Sequence, residues 1–160
     1  LDVSRIESST LELSKCKVDL GSIISFVLQD LEARTKEATI HYQPEHVFAY
    51  ADKDRVIQVV FNLVDNAIKF VKGGGEVFVE VRTDGPEAIV SVRDTGPGID
   101  PEIWPRLFSK FASKSENGTG LGLYISKRII EAHGGRIWAE NNSDGRGATF
   151  AFSLPLYSST

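Results

Sequence analysis

Three short stretches of the sequence bring together residue types with chemical uses. In Asp94-Thr-Gly-Pro-Gly-Ile99 the aspartate falls at the end of a β-type run, and Gly96 and Gly98 remove side chains where a planar ligand would approach the backbone. A carboxylate held there can accept a hydrogen bond from an exocyclic amine. A ligand presenting a carbonyl instead would set acceptor against acceptor, which favours adenine over guanine. On the helical pattern that follows Asp52, the residues Gln58, Asn62, Asp65 and Lys69 form one polar stripe with Asn66 at its edge. The Asn66 amide can offer oxygen to a hard cation such as magnesium without a second carboxylate's charge, and Lys69, one turn further on, can meet a phosphate. The third stretch, Gly118-Thr119-Gly120-Leu121-Gly122-Leu123, opens a helix, where free N–H groups and the positive end of the dipole favour an anion such as a triphosphate.

Each stretch also has a plainer reading. The stripe is what a solvated helix face looks like, and the glycines of the Asp94 turn can serve backbone geometry alone, with the aspartate as its cap. The third stretch does not follow a strand in a βαβ unit, as a dinucleotide-binding turn does, and it lacks the Walker spacing.

These residues must be positioned by the elements around them. Val3, Ile6 and Leu13 give a helical spacing to the opening residues 1–13. A second helical pattern over 21–36 carries Ile23, Ile24, Val27, Leu28 and Leu31, with Asp19 placed to cap it. Short β-type runs follow at 39–42 and 47–51, and then the long amphipathic helix over 52–72, stopped by Gly73, Gly74 and Gly75. Residues 76–83 and 88–94 alternate as strands around Asp84-Gly85-Pro86, a hairpin pattern. A loop over 113–120 feeds a helix over 121–133, and β runs at 136–140 and 148–154 are joined by the turn residues 142–147. The sum is an α/β (α+β) two-layer arrangement, a mixed sheet with helices on one face.

With 160 residues and 41% hydrophobic content, the chain can enclose one core and is too short for two. The net charge of -4 and the dispersed basic residues exclude the positive footprint of a nucleic-acid binder. The single cysteine, Cys16, excludes an internal disulfide framework and a cysteine-built zinc site, and fits a cytoplasmic location. No run approaches the roughly 20 apolar residues of a membrane span, and the amino end does not read as a signal peptide. No membrane contact is expected of this chain.

In order and spacing, NLVDNAIKF, DTGPGI, LFSKF and GTGLGLYISK resemble the N, G1, F and G2 boxes of histidine kinases, with HGGRIWAE following. The resemblance covers about residues 18–156, and the opening LDVSRIES resembles the end of a dimerisation and phosphoacceptor helix. It implies the Bergerat ATP-binding fold, a mainly antiparallel mixed sheet, and a division into a helical remnant over 1–16 and an ATP-binding catalytic domain over 17–158. By the same resemblance Asn66 is the magnesium ligand and acts with Lys69 in catalysis, while Asn62 belongs to the same box. Phe70 lines the adenine pocket, Asp94 reads the adenine amine, and Gly96, Gly98 and Ile99 shape that pocket. Phe108 and Phe111 anchor one side of a lid, and Gly118, Thr119, Gly120, Leu121 and Gly122 form the other. Thr149 reaches the adenine end.

Asn62 stands where related hydrolysing ATPases carry a glutamate base, and an amide cannot take up a proton. Transfer to an incoming nucleophile needs mainly positioning and charge neutralisation. The family's arginine after the F box is absent here, Ala112 and Ser113 standing in its neighbourhood, which leaves Lys110 or Lys114 to reach the phosphates without bidentate geometry. None of His41, His46 and His133 has the sequence context of a phosphoacceptor, and His133 falls at a helix end where a cation is favourable.

The resemblance therefore implies ATP and Mg2+ as cofactors and transfer to a histidine on a phosphoacceptor domain of a parent protein. It further implies a response regulator receiver domain as partner, a homodimeric parent compatible with a membrane anchor, and a monomeric fragment. A nucleotide-dependent interaction module and an anti-sigma-type serine kinase are the competing readings.

Overall fold

The computed structural model of the protein describes residues 11–36, 38–71, 73–110 and 121–158. Two aspartates start the first two helices. Asp19 ends strand β1 (Lys15–Asp19) and caps α1 (Leu20–Arg34), its carboxylate accepting from the Gly21 N–H at 2.9 Å. Asp52 ends β3 (Phe48–Asp52) and caps α2 (Lys53–Phe70), accepting from the Arg55 N–H at 3.3 Å. Both side chains satisfy a first-turn donor that a helix cannot satisfy itself. The buried stripes are Ile23, Ile24, Val27, Leu28 and Leu31 on α1, and Val56, Val59, Val60, Leu63, Val64, Ala67 and Ile68 on α2. On α3 (Gly122–Ala132), Ile125, Ile129 and Ile130 are buried, together with Ser126.

These stripes cover one face of a five-stranded sheet of order β2-β4-β5-β7-β6. The strands are β2 (Thr39–Tyr42), β4 (Glu76–Asp84), β5 (Glu87–Asp94), β6 (Ile137–Asn141) and β7 (Ala148–Pro155). The pair β2–β4 is parallel and the other neighbours are antiparallel, so the sheet is mixed and mainly antiparallel as expected. Alternation sends Val77, Val79 and Val81, Ala88, Val90 and Val92, and Phe150, Phe152 and Leu154 into the helix layer. Long side chains cover the opposite face, where the Arg93 guanidinium lies 4.1 Å from the Phe78 ring centroid and His41 stacks on Phe78 at 4.6 Å. The result is a two-layer α/β sandwich. Among the described residues no helix is long and apolar enough to cross a membrane.

Two features depart from the sequence expectation. β1 begins at Lys15, inside the stretch read as a helical remnant, and pairs antiparallel with β3 as a separate two-stranded sheet. Leu156 bridges to Ala49 on the other side of β3. The helix expected at the start falls largely on residues 1–10, which lie outside the described residues.

Candidate nucleotide-binding site

Asp94 closes β5 with its side chain on the helix face, only 1% exposed. One carboxylate oxygen, Oδ1, accepts the Gly96 N–H at 2.9 Å and the Ala148 N–H at 3.4 Å. The other, Oδ2, is buried with no hydrogen-bond partner among the described residues. Burial pushes the carboxyl above its ordinary value, and the two backbone donors only partly offset that rise. A buried acceptor without a donor costs free energy, so Oδ2 is a place where an N–H from a ligand would be strongly welcomed.

The turn after Asp94 is built by close approach. A Cβ on Gly96 would stand 2.6 Å from the Phe70 carbonyl oxygen, at the end of α2. Gly147, at φ +79°, packs so tightly that a Cβ there would overlap the Asp94 carbonyl. The hairpin between β6 and β7 then clamps the turn with two asparagines. Asn141 Oδ1 accepts the Ile99 N–H at 2.8 Å, beside Gly98, and Asn142 Nδ2 donates to the Asp94 carbonyl at 3.0 Å and to that of Arg146 at 2.8 Å. Sequence reasoning placed these asparagines only at a strand end and in a turn. Their proximity to Asp94 follows from β7 lying between β5 and β6, which no local pattern announces.

Thr149 is brought near but not into the pocket. Its register opposite Arg93 puts it on the sheet face away from the Asp94 carboxyl, and its hydroxyl donates to Asn142 Oδ1 at 2.6 Å. Thr149 therefore meets the Asp94 turn through Asn142, which donates to the Asp94 carbonyl. The cause is strand alternation, since Phe150 and Phe152 occupy the inward positions.

α2 links this turn to the start of α3. Phe70, at the Asp94 end, is 40% exposed and stacks on Phe150 at 6.3 Å, with Phe108 edge-on to Phe150 at 6.4 Å. One turn back, the Asn66 carboxamide is half-buried and has no side-chain hydrogen bond among the described residues. Lys69 Nζ pairs with Asp65 at 3.1 Å, the lysine exposed and the aspartate half-buried. Asn62 Nδ2 donates to the Gly122 carbonyl at 3.4 Å and to Ser126 Oγ at 3.3 Å, so it touches the first turn of α3. From Asn62 to Phe70 the helix axis spans about 12 Å. Leu121 precedes α3 and makes no side-chain cap bond to its first turn. Phe111, Lys114, Gly118, Thr119 and Gly120 lie outside the described residues. Lys110 places its ammonium 5.5 Å from the Tyr124 ring centroid.

Among the described residues no group of three or more His, Cys, Asp or Glu side chains could hold a metal ion. His41 pairs with Glu76 at 2.9 Å and His46 with Asp19 at 2.6 Å, both histidines on the surface. His133 differs from its expected role as a helix-end cation. It is 3% exposed, Nδ1 donates to the Ile129 carbonyl at 2.8 Å and Nε2 accepts the Asp52 N–H at 3.0 Å. Burial lowers its pKa and keeps it neutral, as an acceptor at Nε2 requires.

A two-layer sandwich with a buried, half-paired carboxylate at one end of a helix and the start of a second helix at the other fits a nucleotide-binding domain. The family described as histidine kinase-, DNA gyrase B- and HSP90-like ATPase matches residues 51–158. The adaptive-response sensory kinase SasA of Synechococcus sp. (strain JA-3-3Ab) is 32% identical over 98% of the chain and 44% of its own length. The solved catalytic domain of histidine kinase ThkA superposes with a TM-score of 0.79 at 32% identity, covering 89% of this chain and 96% of that one. Full-length ShkA in complex with AMPPNP gives 0.80 at 31%, covering 98% of this chain and 34% of that one. The chain therefore belongs to the histidine kinase-, DNA gyrase B- and HSP90-like ATPase family and, within it, to the histidine kinase catalytic domains. ATP is the nucleotide of that family. The chain spans less than half the length of curated relatives such as SasA.

Proposed function

We propose that this domain binds ATP with magnesium and passes the γ-phosphoryl group to a histidine on a phosphoacceptor domain of a two-component sensor kinase, for relay to a response regulator. The observation that carries the reading is Asp94 Oδ2, buried and without a donor, which the exocyclic amine of adenine would complete. Phe70, Phe108 and Phe150 offer the ring an aromatic wall beside it. The helix axis then leads to the start of α3, where backbone N–H groups meet the phosphates. ShkA, similar over 98% of this chain, was solved in complex with AMPPNP, which supports a nucleotide site in this fold.

Asn66 fits a magnesium ligand, since its amide is half-buried without a side-chain partner and no acidic cluster competes with it among the described residues. Magnesium usually takes one or two protein oxygens along with phosphate oxygens, and when bound it would neutralise charge on the phosphates. Lys69 adds a positive charge on the same helix. Asn62 donates to α3 and offers no base, so water is not activated here and the acceptor must supply the nucleophile. In the transfer the bond from the γ-phosphorus to the bridging oxygen breaks, ADP leaves with that electron pair, and a histidine nitrogen forms the new bond.

The domain is proposed to start at or before Lys15, with the phosphoacceptor helix before it. A nucleotide-dependent interaction module with little transfer activity is the second reading, favoured by lysines rather than an arginine after Phe108. Calorimetric titration with ATP and GTP, each with and without magnesium, tests the site. ATP binding strengthened by magnesium, with GTP much weaker, is expected. Equal affinity for the two nucleotides would remove the role given to Asp94. Incubation with a separately purified phosphoacceptor domain and labelled ATP then separates a kinase from an interaction module.

A further inference from the structure

Asp52 carries three hydrogen bonds that point in three directions. Its Oδ2 accepts the Ser14 N–H at 2.9 Å, from the segment that runs into β1. Its Oδ1 caps α2 through the Arg55 N–H. Its own N–H donates to His133 Nε2 at 3.0 Å, and His133 in turn is fixed by the Ile129 carbonyl at the end of α3. The contact with His133 is part-buried and His133 itself is buried, so a lost partner leaves its ring nitrogen poorly reached by water. At its opposite end α3 is held by Asn62 of α2, through Gly122 and the fully buried Ser126. Between the two clamps Ile125, Ile129 and Ile130 are buried in the core, so α3 is a bar of about 16 Å gripped at both ends.

We propose that Asp52 is a positioning residue that joins the segment preceding β1 to α3, so that the placement of that segment sets the phosphate end of the nucleotide site. A shift of the Ser14 backbone moves the Asp52 carboxylate, which is also the cap of α2, and the Asp52 N–H carries His133 with it. The Asp94 end of the site is held by β5, β7 and the asparagine clamp, and meets α2 only at its far end, through Phe70. The inference rests on the nucleotide-site reading above for its functional half only.

The test replaces one backbone donor in the 160-residue chain. Ser14→Pro removes the N–H that Asp52 accepts, and Ser14 precedes the first residue of β1. Hydrogen exchange at the Ile125 amide, which bonds to the Leu121 carbonyl at 2.8 Å in the first turn of α3, is measured together with the affinities for ATP and adenosine. Exchange at Ile125 should rise about fivefold and ATP affinity fall by a similar factor, the worth of one net hydrogen bond, with adenosine unchanged. His133→Leu should do the same from the other side, and His133→Gln, which keeps an acceptor, should restore both readouts. A folded Ser14→Pro variant with unchanged exchange and unchanged ATP affinity would overturn the proposal, as would equal losses for ATP and adenosine. If Ser14→Pro does not fold, the comparison of His133→Leu with His133→Gln decides, and identical behaviour of the two rejects the junction. If the unaltered chain binds neither ligand, the nucleotide reading fails while the exchange at Ile125 still settles the mechanical half.

Discussion

Replacing Asp94 by asparagine separates the two things its carboxylate does. Oδ1 must go on accepting the Gly96 and Ala148 N–H groups, so the amide oxygen of the variant is held there and its NH2 is forced into the position of Oδ2. A donor then faces the donor of adenine. The charged hydrogen bond that disappears is worth about 1.5 to 3 kcal/mol, so ATP should bind roughly 10- to 150-fold more weakly. A guanine carbonyl meets a donor in the variant, and the preference for ATP over GTP should shrink or invert. Stability moves the other way. Burial raises the Asp94 pKa, so the acid form favours folding and that advantage is lost as the pH rises from the ordinary carboxylate value through the folded one. Asparagine carries no such penalty, and the ligand-free variant should melt no lower than the parent at neutral pH. Calorimetric titration and scanning calorimetry on the same sample read both quantities. An Asp94→Asn protein that binds ATP within about threefold of the parent would refute the reasoning, because even the smallest charged hydrogen bond exceeds that.

Asn66→Ala should leave metal-free ATP binding almost unaltered and abolish the strengthening by magnesium, checked by titrations with and without the metal. Gly96→Ala forces a Cβ against the Phe70 carbonyl and should cost about 1 to 3 kcal/mol, lowering the melting temperature and ATP affinity together. His133 titrates below its ordinary value in the folded chain because it is buried, so its contribution is complete above about pH 6.5 and falls away as the pH drops through the lowered value. Melting curves from about pH 7.5 to about pH 5 should therefore show a steeper loss for the parent than for His133→Gln, and the difference between the two isolates this group from Asp94, whose effect has the opposite sign.

The long helix and the strand hairpin were legible because their signals are local. Asp52 caps, the apolar stripe repeats at helical spacing, and Gly85 with its neighbours turns the chain within a few residues. β1 was not, since Lys15, Cys16 and Lys17 are all exposed and only Val18 is buried, leaving no alternation to read. Its existence depends on pairing with β3, which lies far along the chain. The inward positions of Phe150, Phe152 and Leu154 contain the parity that turns Thr149 outward. Asp94 could be picked out from its turn, but which oxygen is satisfied depends on Ala148, in a strand that folds back from much later in the chain. His133 reads as a helix-end cation because nothing in its neighbourhood along the chain signals that the Asp52 N–H donates to its Nε2.

The three-way arrangement around β3 has a mechanical meaning. β1 lies antiparallel on one side of it, while Leu156 and Tyr157 run antiparallel on the other, with the Tyr157 N–H bonded to the Phe48 carbonyl at 2.9 Å. β1 and the segment at Leu156 thus point the same way along a strip of about 16 Å. Tension between the incoming and outgoing chain would pull the flanking segments lengthwise in opposite senses, so the hydrogen bonds of β3 share the load together and do not open one after another. Such a shear joint resists force well, and the bond from the Leu156 N–H to the Pro86 carbonyl ties it to the sheet that carries Asp94.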